Sequence, residues 1–210
     1  MKEHKEGWQC FVEINDSCVI KKFKTKEQIA KKIEEYLNTE KKSPESLEER
    51  TDRVYADIKN SLRILENSNI PRNLLANAKI SKDTIKQDKV FLLGDKINEL
   101  LDKNKLDEAK KLIRSLIDFI LELWKYKIHE KTYKFNLNYG VDNGGNIVLI
   151  DFLEITDDKE KVKKQIVNKK WDKPERYLDK IDMKIARFLL DLANKELNLD
   201  NLEKNWGKYA

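Results

Sequence analysis

No apolar run in this sequence approaches the ~20 residues that a helical membrane span needs, so no helical membrane anchor is expected. The lysine-rich opening MKEHKEGW also lacks the apolar stretch of a secretory signal, and the expected compartment is cytoplasmic. Cysteine is scarce. Cys10 and Cys18 alone give neither a zinc-ligand spacing nor a disulfide framework, so both are read as free thiols in neighbouring strands. A large charge of one sign is missing as well. With 43 basic and 38 acidic residues the net charge is +5, a weak attraction for polyanions that falls short of a nucleic-acid binder's footprint. Lysine far outnumbers arginine, which argues further against a phosphate-backbone reader.

The chain has 210 residues, 40% of them apolar and 39% charged. The apolar residues are patterned, and a chain of this length holds one large domain or two small lobes sharing a core. Residues 8–23, WQCFVEINDSCVIKKF, read as a hairpin turning at Asn15-Asp16. Ile29, Ile33 and Leu37 then mark a one-sided helix from Lys26. Val54, Ile58, Leu62 and Leu65 mark a longer one from about Glu45 to Asn67. Pro71 breaks that helix, and ISKDTIKQDKVFLLG reads as one or two strands ending at Gly94, where a linker between lobes would fall. The strongest helix spans about Asp107 to Tyr126, with Ala109, Leu112, Ile113, Leu116, Ile117, Ile120, Leu121 and Trp124 in one stripe. A second hairpin follows, from Tyr139–Val141 through the turn DNGGN into the apolar strand IVLIDF. The last third is helical. Asp182 serves there as a cap, Asp200 with Glu203 resembles a capping box, and KEKVKKQIV is the solvated face of a helix.

One residue draws attention on physical grounds. Asp151 ends the apolar strand Ile147–Ile150, and an ionised carboxylate there is costly to bury without a cation or hydrogen-bond donors. Taken alone, a turn cap or a lysine partner accounts for it. Pairing across the DNGGN turn brings Asn138 toward it, which would supply two hard oxygens for one Mg²⁺.

Taken together, the element order, the loop IHEKTYKFNLN before the hairpin, the segment NIVLIDFLE and the strand CVIK resemble the protein-kinase-like fold over roughly the first 155 residues. The resemblance implies an α+β fold with a small β-rich N-terminal lobe (1–94) and a mostly helical C-terminal lobe (95–210). It implies ATP and Mg²⁺ as cofactors, Lys21 at the nucleotide phosphates with Lys22 its rival, and Asn138 and Asp151 as metal ligands with Asn136 a rival for the asparagine role. Glu130 would be the catalytic base, and a carboxylate on the helix after Pro44 (Glu48, Glu49 or Asp57) the partner of the lysine.

The sequence departs from the family pattern at several points. Glu130 and Lys131 follow His129 where an aspartate is expected, Leu153 stands where a glycine should follow Asp151-Phe152, and a single Gly7 replaces the glycine-rich loop. The expected function is therefore γ-phosphoryl transfer from a bound nucleotide to the hydroxyl of an unknown small-molecule or protein acceptor. The alternatives are a catalytically inactive pseudokinase-like interaction protein and a helical basic adaptor. His129 is expected to support the loop by hydrogen bonding rather than to act as a base.

Overall fold

The structure is a computed structural model that describes residues 2–39, 45–172 and 182–210. It is a mixed α and β chain, and among the described residues the strands form three antiparallel sheets. The expected hairpin is present as β2 (Cys10–Ile14) and β3 (Cys18–Phe23), and its turn falls at residues 15–17. A strand not expected from the sequence precedes it. β1 (Glu3–Glu6) is fully exposed and pairs with β2 from Glu3↔Ile14 to Glu6↔Phe11. Its sequence EHKE has no apolar alternation because it lies on the sheet edge, where charged side chains discourage further pairing. β5 (Thr84–Asp88) pairs with β3, and β4 (Lys79–Ile80) with β5, which gives the order β1-β2-β3-β5-β4.

Register decides which residues share a face. Val12 lies opposite Lys21, and Lys21 opposite Ile85. The two-residue period then puts Cys10, Val12, Val19, Lys21, Ile85 and Gln87 on one side and Phe11 and Lys22 on the other. Cys10 and Cys18 pair with Phe23 and Asp88 respectively, so the two thiols sit at opposite ends of the hairpin and both are free.

Two helices connect β3 to β4. α1 (Lys26–Thr39) buries Ile29 and Ile33, and α2 (Leu47–Asn67) buries Val54, Ile58, Ser61, Ile64 and Leu65. α2 starts sharply because Ser46 Oγ accepts from Glu49 N at 3.2 Å while Glu49 Oε2 accepts from Ser46 N at 3.0 Å, a reciprocal cap that satisfies two orphan amides. After Pro71 comes a short 3₁₀ turn (Arg72–Leu75) that ends in left-handed Ala76.

β6 (Phe91–Leu92) leaves the first sheet and pairs with β8 (Tyr139–Val141), which pairs in turn with β9 (Ile147–Leu149). Gly140 is needed at this crossing. A Cβ there would lie 3.0 Å from Phe91 O and inside the contact distance of Val90 Cγ2. Two expectations are corrected in this region. Gly94 does not end a strand but lies in the first turn of α3 (Leu93–Asp102), so the division drawn after residue 94 falls inside a helix. The strand expected over IVLIDF stops at Leu149, because the amides of Ile150 and Asp151 both converge on Asn138 O, at 2.9 and 3.2 Å.

The core helix is α4 (Leu106–Lys125), whose buried face includes Ala109, Ile113, Leu116, Ile117, Ile120 and Trp124, as the stripe predicts. β7 (His129–Glu130) pairs with β10 (Ile155–Thr156), and α5 (Lys159–Val167), α6 (Met183–Glu196) and α7 (Leu199–Asn205) complete the described chain. Asp182 caps α6 as expected, accepting from Lys184 N at 2.8 Å. Asp200 does not cap α7. Asn198 does, accepting from Asn201 N at 2.8 Å, and Asp200 lies within the first turn. No described helix is long and apolar enough to cross a membrane.

Candidate functional site

Two adjoining cavities lie where the first sheet, α2 and the β7–β10 region meet. The smaller, about 320 Å³, is lined by the Gly7–Gln9 turn, by Cys10, Val12 and Lys21 of the sheet, by Arg53 and Val54 of α2, and by Lys134, Asp151, Leu153 and Glu154. The larger, about 780 Å³, is lined by Arg50, Arg53 and Asp57 of α2, by Lys131 and Lys134 of the loop, and by Glu154 and Lys170, with Thr132 and Asn136 among its other walls. Arg53, Lys134 and Glu154 belong to both.

Lys21 crosses the smaller cavity. Its Nζ donates to Ile150 O at 2.7 Å and lies 3.9 Å from Asp151 Oδ1, although the two residues are 129 or more positions apart in the chain. The Lys21 side chain is 14% exposed and that of Asp151 40%, so the carboxylate is the more accessible partner. Lys22 points to the opposite face, beside Phe11, Ile20 and Thr84. None of the α2 carboxylates meets Lys21. Glu49 belongs to the cap of α2, Asp57 pairs with Lys131, and Glu48 lies on the exposed first turn. In their place Arg53 faces the cavity and is held by Glu45 through two hydrogen bonds of 2.8 and 2.9 Å. The neighbouring Cys10 thiol is pushed up to about 12 by burial and is inert as a nucleophile.

The loop after α4 is organised around Glu130. It is 2% exposed and lines neither cavity. Its carboxylate accepts from Thr132 N (2.8 Å), Thr132 Oγ1 (2.5 Å), Tyr133 N (2.8 Å) and Asn138 Nδ2 (3.1 Å). Burial pushes its pKa up to about 7 against these donors. His129 is also buried. It accepts from Trp124 Nε1 at Nδ1 (3.0 Å) and meets Gln165 at Nε2 (3.1 Å), and burial lowers it to about 4, so it supports the loop as a neutral ring.

Asn138 binds Thr132 Oγ1 at 3.0 Å as well as Glu130. Its amide nitrogen is a donor, so toward a cation the carboxamide has only its oxygen to offer. Asn138 and Asp151 therefore meet through the backbone, Asp151 N donating to Asn138 O at 3.2 Å. Among the described residues no three acidic, histidine or cysteine side chains converge on a point. A hard ion held here would draw on the Asp151 carboxylate, and on the Asn138 oxygen only if that side chain, 3% exposed and lining neither cavity, turned toward it. Two such donors suit Mg²⁺, which keeps waters and takes phosphate oxygens for its remaining positions.

Thus Lys21 and Asp151 come together, Glu130 and Asn138 come together, and the two pairs adjoin through the Asn138 carbonyl. The positively charged walls supplied by Arg50, Arg53 and Lys134 were not singled out from the sequence. Their signal was the spacing of Arg50, Arg53 and Asp57 at i, i+3 and i+7, which places three charges on one face of a helix otherwise read for its apolar stripe.

No family model and no curated protein matches this chain. Among solved structures it is similar to the bifunctional kinase-methyltransferase WbdD, at 14% identity and a TM-score of 0.40 over 89% of this chain and 43% of that one. The chain spans less than half the length of that protein. At this level the likeness is a weak one, and the site stands on its own geometry.

Proposed function

We propose that the chain is a small kinase-like phosphotransferase with two lobes, divided between the five-stranded sheet with its two helices and the remainder. It binds a nucleoside triphosphate with Mg²⁺ in the smaller cavity. The observation that carries this reading is Lys21 reaching across to Ile150 O and Asp151, which puts one cation and one accessible carboxylate at the same end of a cavity roofed by a strand-connecting turn. Lys21 supplies a point charge for phosphate oxygens. Mg²⁺ on Asp151 and Asn138 would neutralise the charge that builds on the transferred group.

The acceptor occupies the larger cavity. Its hydroxyl oxygen bonds to the γ-phosphorus, the bridging P–O bond to the β-phosphate breaks, and the nucleoside diphosphate leaves. The acceptor's proton goes to Glu154, the carboxylate that lines both cavities. Glu130, enclosed by four donors, is under this reading a positioning residue that holds Asn138 and the loop.

A second reading, an interaction protein that binds nucleotide without turnover, is favoured by that same enclosure of Glu130 and by the lone Gly7 in the roof. Thermal denaturation with ATP, with and without Mg²⁺, tests the first step. At a hundred times Kd, ligand adds about 2.7 kcal/mol of stability, a rise of roughly 5–10 °C for a chain of this size. The rise should require Mg²⁺ and disappear in Asp151→Asn. No rise at millimolar ATP, or an undiminished one in Asp151→Asn, sinks the nucleotide site. A Mg²⁺-dependent rise that coexists with no ADP formation for any acceptor would leave the inactive reading in place.

A further inference from the structure

The larger cavity has an excess of positive charge that the nucleotide reading does not use. Five cations, Arg50, Arg53, Lys131, Lys134 and Lys170, line it, against the carboxylates of Asp57 and Glu154. Three of the five are neutralised locally: Arg53 by Glu45, Lys131 by Asp57 and Lys134 by Glu154 at 3.5 Å. Arg50 and Lys170 make no ion pair among the described residues. Glu45, the carboxylate whose field reaches Arg50, is taken up in its bidentate contact with Arg53.

Arg50 is held in a specific way. Its guanidinium carbon lies 4.3 Å from the Trp8 ring centre and 5.2 Å from that of Tyr36, and the two rings meet edge to face at 5.3 Å. Stacking fixes the plane of the guanidinium without consuming any N–H. Its Nε is buried and has no hydrogen-bond partner. A buried donor left unpaired is costly, and Nε–H is one prong of the fork that grips a carboxylate or phosphate through two parallel hydrogen bonds. An oriented guanidinium that lines a cavity and keeps a buried N–H without an acceptor is suited to an anionic ligand. The cavity volume falls in the range of small-molecule sites, ~300–1,000 Å³.

We propose that the larger cavity recognises a small hydroxyl-bearing molecule through an anionic group, a phosphate or a carboxylate, gripped by the Nε edge of Arg50 and by Lys170. As the identity of a phosphoryl acceptor this rests on the phosphotransferase reading, whereas anion binding itself is measured without nucleotide.

The test uses the full chain in nucleotide-free buffer, titrated by calorimetry with glucose 6-phosphate, glucuronate, glucose and hexaglutamate at matched ionic strength set with NaCl. Glucose 6-phosphate or glucuronate should bind at least tenfold more tightly than glucose, and whichever dominates tells phosphate from carboxylate. Arg50→Lys, which keeps the charge and loses the fork, should weaken that binding about tenfold. Lys170→Gln, clear of the aromatic stack, should weaken it several-fold. Both should keep the Mg²⁺-dependent ATP shift, and Asp151→Asn should keep anion binding while losing the ATP shift. The anion site is overturned if glucose binds as well as its charged analogues, if both Arg50→Lys and Lys170→Gln bind like wild type, or if only hexaglutamate binds, which would make the ligand an acidic peptide. Absence of the ATP shift in wild type, with anion discrimination intact, would remove the transfer step and confirm the anion site on its own.

Discussion

Replacing Glu130 by glutamine should change how stability depends on pH, in a way that exposes an opposition built into neighbouring residues. Glu130 titrates at about 7 in the folded chain against an ordinary value of 4.5. Between these values the native state holds a proton that the unfolded state has lost, so the Glu130 contribution is fully present below pH 4.5 and is lost as pH rises through 7. His129 runs the other way, at about 4 against 6.5. The unfolded state takes up the proton first, so the His129 contribution is present above pH 6.5 and is lost as pH falls toward 4.

Each slope is about 1.4 kcal/mol per pH unit where it applies, and between pH 4.5 and 6.5 they nearly cancel. Glutamine removes only the first. The variant carries a fixed cost of about 1–3 kcal/mol, since one carboxamide oxygen cannot serve four donors. Its stability relative to wild type should then rise by about 3 kcal/mol from pH 4.5 to 7. Urea denaturation of both proteins at pH 4.5, 5.5, 6.5 and 7.5 reads the difference directly. A difference that stays constant across this range would mean that the four donors hold the carboxylate ionised against its burial, and the reasoning fails.

Two further outcomes follow from the same structure. Gly140→Ala should cost about 1–3 kcal/mol in denaturant melts, because the added methyl meets Val90 and Phe91 O at the β6–β8 crossing; an unchanged midpoint would mean that these strands move apart freely. Ellman's reagent should label one thiol per native chain, Cys18, and reach Cys10 only on unfolding, since burial raises Cys10 to about 12; two thiols reacting at equal rates would contradict the enclosed position of Cys10.

The elements that sequence reading found are those whose own burial pattern has a period. The β2–β3 hairpin, α1, α2, α4 and the Tyr139–Val141 strand all put apolar residues at regular intervals toward the core, and their observed limits lie within about two residues of those expected. β1 escaped because its pairing is made by the backbone and its side chains are charged and exposed. α3 escaped because LLGDKINELL begins on a strand-like apolar run, and its N-cap residue, Leu92, offers no side-chain cap. Lys21 and Asp151 were legible as a cation after an apolar strand and a carboxylate ending another. Their meeting was implied only by the family resemblance and not by the residue patterns, since it depends on the packing of two sheets far apart in sequence. The enclosure of Glu130 was equally hidden, because three of its four donors come from residues 132 and 133, whose backbone turns back on the carboxylate only once the loop is folded.

The contacts of α2 run in order along its length. Arg50 stacks on the Trp8 turn, Arg53 and Val54 face the smaller cavity, Asp57 pairs with Lys131, Ser61 Oγ accepts from Ile155 N at 3.2 Å, and Arg63 meets Asp157 at 3.0 Å. The helix is a rail on which roof, cavity, loop and β10 are indexed. One extra residue between Asp57 and Ser61 would rotate everything downstream by about 100° and advance it by about 1.5 Å, so that Ser61 and Arg63 lose their partners while Arg50 and Asp57 keep theirs. A single inserted residue is thus poorly tolerated in the middle of this half-exposed helix, among the three residues between Asp57 and Ser61 that carry none of the chemistry.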